Sequence, residues 1–475
     1  MDVCAEMPGH QGPPPFANHQ DLYKTIETVS EGGAPWECLS VSHVDADTLP
    51  ADDPSVPTWM QDTHEVWFRC PESLLDQQIL NSVFDGHMDY VPWQVFGDQH
   101  QHIWSSFMSG NWAWTQCNEL AEDPENHGAM FVPIILGSDK TTVSVVTGNN
   151  EYHPVYISTG NVHNDMWHAH GEAVSLLIVK FESDLKFQTF HCHFFYSTLK
   201  AILEAMQPAM SKPHIIMCAD GHYHRAVYGI EPYIADYPEQ ALLACIVQGW
   251  CPKCTANRKD LDGSTDASPC THEHTRLLME HFQSHILWQE YEIIDDILPF
   301  TADFPRENIH ELIAPDIHHQ IIKGTFTWVK TYLKLVHGDA EAKKTMADID
   351  HCIAAVPSFL GLRHFPQGRR FKQWTGDDSK ALMKVFLPAI AGYVPSKMVQ
   401  AISAFMEFCY IVHQPTLDEA DLDALDTALE TFERKQTIFE ETGVHPACIS
   451  IPWIHSLQHY HHMIQLFCAP DGLFT

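Results

Sequence analysis

Residues 226–243 read AVYGIEPYIADYPEQALL, and this stretch decides how the middle of the chain folds. An apolar run from Ala226 to Ile234 finishes at Asp236, and Pro238-Glu239 then opens a helix, because proline fits the first helical turn, where its missing N–H costs nothing. Upstream, MFVPIILGSD over 130–139 has the same form: Phe131, Val132, Ile134, Ile135 and Leu136 make an apolar strand that ends at Gly137-Ser138-Asp139. Between the two lie Thr142 to Val146 and Val155-Tyr156-Ile157, separated by the turn residues Gly148-Asn149-Asn150. Val174 to Phe181 reads as a further strand, Phe194 to Met206 as a helix and Ile215 to Met217 as a strand. Short strands followed by mixed strands and helices predict an α/β core over 129–250.

Outward from that core the character changes. Residues 1–60 interleave Pro13, Pro14, Pro15, Pro35, Pro50 and Pro54 with acidic residues and have little to bury, which predicts a flexible N-terminal arm. Residues 61–128 carry helical patterns at Glu72 to Phe84 and Ser109 to Leu120, so a helical segment leads into the core. Beyond about 275, Leu278/Phe282/Ile286, Met398/Ile402/Phe405/Cys409 and Leu422/Leu425/Leu429/Phe432 recur at helical spacing, predicting a mainly helical region over 276–475.

Lys and Arg number 27 against 62 Asp and Glu, a net charge of −35, which excludes a surface that is basic throughout. Any DNA-backbone contact must come from a local patch such as Arg363 to Lys372. The 14 cysteines are scattered and the first residues hold no apolar core of a secretory leader, so a reducing compartment, nuclear or cytoplasmic, is expected. No apolar run approaches the length of a membrane span. Phosphate-loop, dinucleotide and serine-nucleophile motifs are missing.

Three constellations carry candidate chemistry. Asp139 and Asp236 each end an expected core strand; converging carboxylates hold hard divalent cations, although from spacing alone a turn or helix cap is the simpler explanation of each acid. Cys251-Pro-Lys-Cys254 has the spacing of a zinc half-site, with Cys251, Cys254, Cys270 and His274 as the expected ligands and His272 competing with Cys270; two reduced buried thiols, or a redox pair, are the alternatives. Asp316 and His319 share a helical face and can orient each other or support a nearby metal, as a surface hydrogen bond also would. Cys218 to His224 reads as a polar turn rather than a second metal site, and the imidazole-dense run His455 to His462 as a solvated helix face.

Several long runs then become recognisable: SGNWAWTQCNELAEDPENHGAMFVPIILGSDKTTVSVVTGNNEYHPVYISTGN, EPYIADYPEQALLACIVQGWCPKC, DFPRENIHELIAPDIHHQIIKGTF, LRHFPQGRRFKQWTGDDSKALMKVFLPAI and HSLQHYHHMIQLFCAPDGL. Together, over roughly residues 85–475, they resemble the Plavaka-type transposases of fungal mobile elements, relatives of the CACTA superfamily. The resemblance implies a ribonuclease-H-like core with a large, mainly helical insertion and a small zinc-binding loop at 251–275. It implies that Asp139 is the first metal-binding acid and Asp236 the second, that Mg2+ or Mn2+ is the catalytic cofactor and Zn2+ the structural one, and that Asp316 and His319 belong to a motif. A third acid is expected in a segment of the form T-E-S-K-H shortly after the equivalent of APDGL. The sequence ends at Thr475 without such a segment, so the expected core is incomplete, a chain truncated at its C-terminus. The implied activity is metal-dependent DNA cleavage and strand transfer at transposon ends, with a homo-oligomer compatible with it. A non-catalytic, zinc-stabilised remnant that binds nucleic acid or protein is the alternative.

Overall fold

Nine residues, Met130–Ser138, form a strand that is buried along almost its whole length, as a central strand covered on both faces must be. Its neighbour Tyr223–Ala235 runs parallel to it in the register Ala226↔Met130 to Ile234↔Gly137. The computed structural model describes residues 34–42, 60, 63–98, 100–138, 141–144, 150–169, 175–179, 188–259, 261, 267–295, 297–315, 317–358, 362–369, 376–446 and 451–470.

The described strands are β1 (Trp36–Ser42), β2 (Thr63–Arg69), β3 (Val95–Phe96), β4 (His102–Trp104), β5 (Met130–Ser138), β6 (Thr141–Ser144), β7 (Asn150–Tyr152), β8 (Val155–Thr159), β9 (Ser175–Val179), β10 (His214–Met217), β11 (Tyr223–Ala235), β12 (Ile313–Pro315) and β13 (Leu417–Asp418). The main sheet has the order β1-β2-β9-β8-β5-β11-β10, with β12 also paired to β11. The β5/β11 and β11/β12 pairs are parallel and the others antiparallel. Besides β5, long β11 has two more partners: β10 lies along its first half and β12 along its end, at Tyr233↔Ile313 to Ala235↔Pro315.

Two prolines sit in these central strands, and the sheet accommodates both. The β5/β8 ladder starts at Ile134↔Thr159, one residue past Pro133, whose carbonyl accepts from Gly160 N–H at 3.0 Å. At Glu231-Pro232 the β5/β11 register shifts between Ile230 and Tyr233, and the Ile230 N–H donates to the buried Glu307 carboxylate at 2.8 Å.

Helices α1 (Pro71–Leu80), α2 (Asn111–Leu120), α3 (Asn164–Ala169), α4 (Gln188–Leu203) and α5 (Tyr237–Leu243) belong to the sheet-bearing part. After them come α6 (His272–His281), the long α7 (Ile317–Ala354, broken at Gly338 with φ 77°), α8 (Gly376–Ile390), α9 (Ser396–Val412), α10 (Glu419–Lys435), α11 (Pro452–His455) and α12 (Tyr460–Phe467). Asp418 and Asp421 form a reciprocal capping box at the start of α10, whose Leu422, Leu425, Leu429 and Phe432 all point inward. Trp328 of α7 stacks on Phe432 and Trp453 and tilts against Phe405 and Phe439, which ties this helical half into one core.

Two expectations are corrected. Trp36–Ser42, inside the expected arm, is a strand paired with β2 over its length, and β2 carries that pair onto β9 through Trp67↔Val179; a pairing between residues so far apart leaves no local pattern. The 276–475 region is mainly helical and also returns β12 to the sheet. Leu278, Phe282 and Ile286 do not share one helix: α6 ends at His281, and Phe282 adopts an extended conformation with φ −121° and ψ 150°.

Candidate metal centre and strand-end acids

The segment after α5 folds into a small knuckle. Lys253 N–H points at Cys251 Sγ (3.4 Å), Thr255 N–H donates to Ser268 O (2.9 Å) and Cys270 N–H donates to Lys253 O (2.9 Å). A satellite core of Cys251, Cys254, Ala256 and Leu261 forms beneath it. Lys253 Nζ donates to Glu311 O (2.9 Å) and Ile313 O (2.7 Å), which fastens the knuckle to the start of β12. Burial lowers this ammonium to about 8.

Facing the two thiols are His455, at the end of α11, and His459, one turn on, with their rings 5.2 Å apart. Cys254 Sγ lies 3.1 Å from His455 Nε2, and Cys251 Sγ lies 3.2 Å from His459 Nε2. The ligand atoms of all four residues lie within 4.8 Å of one another. His455 Nδ1 is 2.8 Å from Leu261 O; a carbonyl only accepts, so Nδ1 carries the proton and Nε2 turns its lone pair to the thiol. Hydrogen bonding from Cys251, with His455 and His459 beside it, pulls the Cys254 thiol far down, while burial pushes Cys251 up. Two thiols and two imidazoles converging in this way are the donor set of a closed tetrahedral site for a borderline metal ion.

Of the expected four ligands, the structure therefore brings Cys251 and Cys254 together and places the other two elsewhere. Cys270 uses its backbone to close the knuckle, and burial pushes its thiol up to about 12. His274 is exposed on α6, its N–H capped by Thr271 Oγ1 at 3.1 Å. The competing His272 is buried, with Nε2 2.9 Å from Thr301 Oγ1. The expectation of a solvated face at His455–His462 is corrected as well, because His455 is 2 % exposed. A C-x2-C half-site needing two more donors, together with a His-x3-His pair, was the clue in the sequence.

The other candidate lies at the C-terminal ends of the parallel strands. β5, β11 and β12 are consecutive in the sheet, and Gly137↔Ile234 and Ala235↔Pro315 align their ends. In the chain, Asp139, Asp236 and Asp316 come directly after β5, β11 and β12. Asp139 and Asp316 lie outside the described residues, as does the side chain of His319. Asp236 is the half-buried N-cap of α5, its carboxylate accepting Glu239 N–H at 3.1 Å. Glu239 itself is buried, meets Ser138 Oγ and His153 Nε2, and so ties the end of β5 to α5. Sequence reading missed this carboxylate; the Asp-x-x-Glu spacing suggests a capping box, but the Glu239 side chain turns inward instead. Cys218 to His222 form the turn between β10 and β11, with Asp220 accepting His222 N–H at 2.9 Å and lying 2.9 Å from Nε2 of His224 in β11.

A family model described as Plavaka transposase matches residues 16–332, more than half of the chain. The chain belongs to the Plavaka transposase family. No curated protein matches it. Transposase membership implies DNA as the partner of this Plavaka protein and points to divalent-metal use. Among the described residues of the Plavaka chain, no helix is long and apolar enough to cross a membrane.

Proposed function

We propose that this Plavaka transposase cuts DNA and transfers strands at element ends from a ribonuclease-H-like core in which Asp139 and Asp236 hold Mg2+ or Mn2+. One observation carries the reading: β5 and β11, the strands that each of these acids follows, are adjacent, parallel and aligned at their ends by Gly137↔Ile234. The antiparallel β8 and β9 on one side of β5, and the parallel β11 and β12 on the other, support the core assignment. Oxygen donors suit these hard cations, which when bound supply charge stabilisation for an in-line phosphodiester displacement. The chain's own part is to keep the donors placed: the Glu239 N–H holds the Asp236 carboxylate, and the Glu239 side chain secures Ser138 next to Asp139. The nucleus, where the DNA is, is the compartment this activity requires.

The Cys251/Cys254/His455/His459 group holds structural Zn2+ in the same reading. Its donor set fits: two sulfurs and two Nε2 atoms face one point, with the His455 tautomer fixed from behind by Leu261 O. With both thiols ionised, Zn2+ leaves the buried group neutral.

A short duplex carrying a terminal repeat, incubated with purified protein and Mn2+, tests the nuclease reading. Strand cleavage that Asp139→Ala abolishes is the expected result. Absence of product from the intact, zinc-replete protein overturns it and leaves the non-catalytic remnant.

A further inference from the structure

A third group of donors lies apart from both sites. Residues 85–89 and 161–165 run antiparallel, joined by the bridge Met88↔Val162, with Asp89 N–H donating to Asn161 O (2.8 Å) and His163 N–H donating to His87 O (3.0 Å). That register sets His87 directly across from His163, where side chains of neighbouring strands meet. Their rings are 6.2 Å apart. Asp165, in the first turn of α3, brings Oδ2 to 4.0 Å from His87 Nδ1, while its Oδ1 accepts Met166 N–H at 2.9 Å. One donor atom from each of His87, His163 and Asp165 lies within 4.8 Å of the others.

A separate observation points to a ligand. His163 Nε2 is 3.1 Å from Asp89 Oδ1, and Trp93 Nε1–H donates to Asp89 Oδ2 at 2.8 Å. The indole fixes the carboxylate and the carboxylate fixes the ring, leaving Nδ1 as the nitrogen that can take an ion. A carboxylate behind a ligating imidazole is how proteins orient histidine toward a metal and raise its basicity.

We propose that His87, His163 and Asp165 form a second metal site for a borderline divalent ion such as Zn2+, Co2+ or Ni2+, with Asp89 positioning His163. Two imidazoles and one carboxylate favour these ions over Mg2+ or Ca2+. The donors are partly open to solvent, with side-chain exposures of 45 %, 31 % and 70 % for His87, His163 and Asp165, so water completes the coordination and the ion exchanges. The site cannot serve the strand-end acids. β8 runs antiparallel to β5 from Val155↔Ser138 to Thr159↔Ile134, which carries 161–165 toward the opposite end of the sheet. Its role is a clip that binds the segment after α1 to the chain leaving β8 at the far end of the sheet.

Equilibrium dialysis of metal-stripped full-length protein against Co2+ tests this, read by bound equivalents and by thiolate-to-cobalt absorption. The wild type is expected to hold one equivalent more than His87→Gln or His163→Ala, with the thiolate band unchanged. Asp89→Asn is expected to weaken that equivalent by roughly 10- to 100-fold. Cys254→Ser removes the thiolate band and leaves the extra equivalent, so a failure of the zinc reading and a failure of this one look different. Equal stoichiometry in wild type and His87→Gln, or the same loss in the exposed control His285→Ala, overturns the proposal.

Discussion

At the Cys/His cluster, four donors arrive from two segments that lie 201 and 208 positions apart in the chain, and side chains alone bring them together. At the strand ends the backbone does the placing: Ile234 and Gly137 are register partners in adjacent parallel strands, and Asp236 caps the helix that follows. The difference teaches where each site is vulnerable. Without an ion, the first is held by the knuckle's own hydrogen bonds and by the Leu261 O contact behind His455, with no ladder among the described residues joining its two segments; the second keeps its frame whether or not a cation is present.

The comparison breaks most visibly if the cluster is emptied. Cys251→Ser, or treatment with a strong chelator, is expected to remove the zinc found by elemental analysis, cost several kcal/mol and lower the melting temperature by roughly 10 °C. An unchanged melting curve would place the holding force elsewhere. At the strand ends the expectation is reversed, with activity lost and the fold kept. Asp236→Asn and Asp236→Ala should both abolish cleavage, yet Asn keeps the helix cap while Ala loses about 1 kcal/mol of stability, measurable by urea unfolding.

A pH series sharpens the contrast near the knuckle. His310 Nδ1 lies 2.7 Å from Pro252 O, and burial, aided by His272, Lys253 and His274, lowers the imidazole to about 4. The unfolded chain binds that proton near 6.5 and the folded chain does not, so folding loses stability as pH falls from about 6.5 to 4. Relative to His310→Asn, the wild type should lose on the order of 3 kcal/mol across that window and nothing further below it. The smallest effect is expected from Cys270→Ser and His274→Ala, which should leave zinc stoichiometry at the wild-type value.

Much of the sheet was legible beforehand because local pattern determines it. MFVPIIL is apolar without alternation, as a strand covered on both faces must be, and Asp236-Tyr-Pro-Glu239 marks the turn into a helix by cap and proline chemistry. Half of the candidate metal centre was legible for the same reason, since C-x2-C is a local spacing. The other half was not. The helix Pro452–His455 reads by itself as one more amphipathic turn, and nothing in its own sequence says that His455 will be buried against Leu261 O. Cys270 and His274 were attractive through proximity in the chain, but the knuckle closes through the Cys270 backbone and Thr271 caps α6, which turns His274 outward. β1 was missed likewise, because Trp36–Ser42 becomes a strand through pairing with β2, beyond the reach of periodicity.

The 201 positions between Cys254 and His455 also set an order in time. A ribosome adding about 5–20 residues per second needs roughly 10–40 s to travel that distance. Throughout that interval the nascent knuckle has its thiols but not its imidazoles. On the proposed zinc reading, an ion captured in that interval is held by two sulfurs and water until the imidazoles arrive.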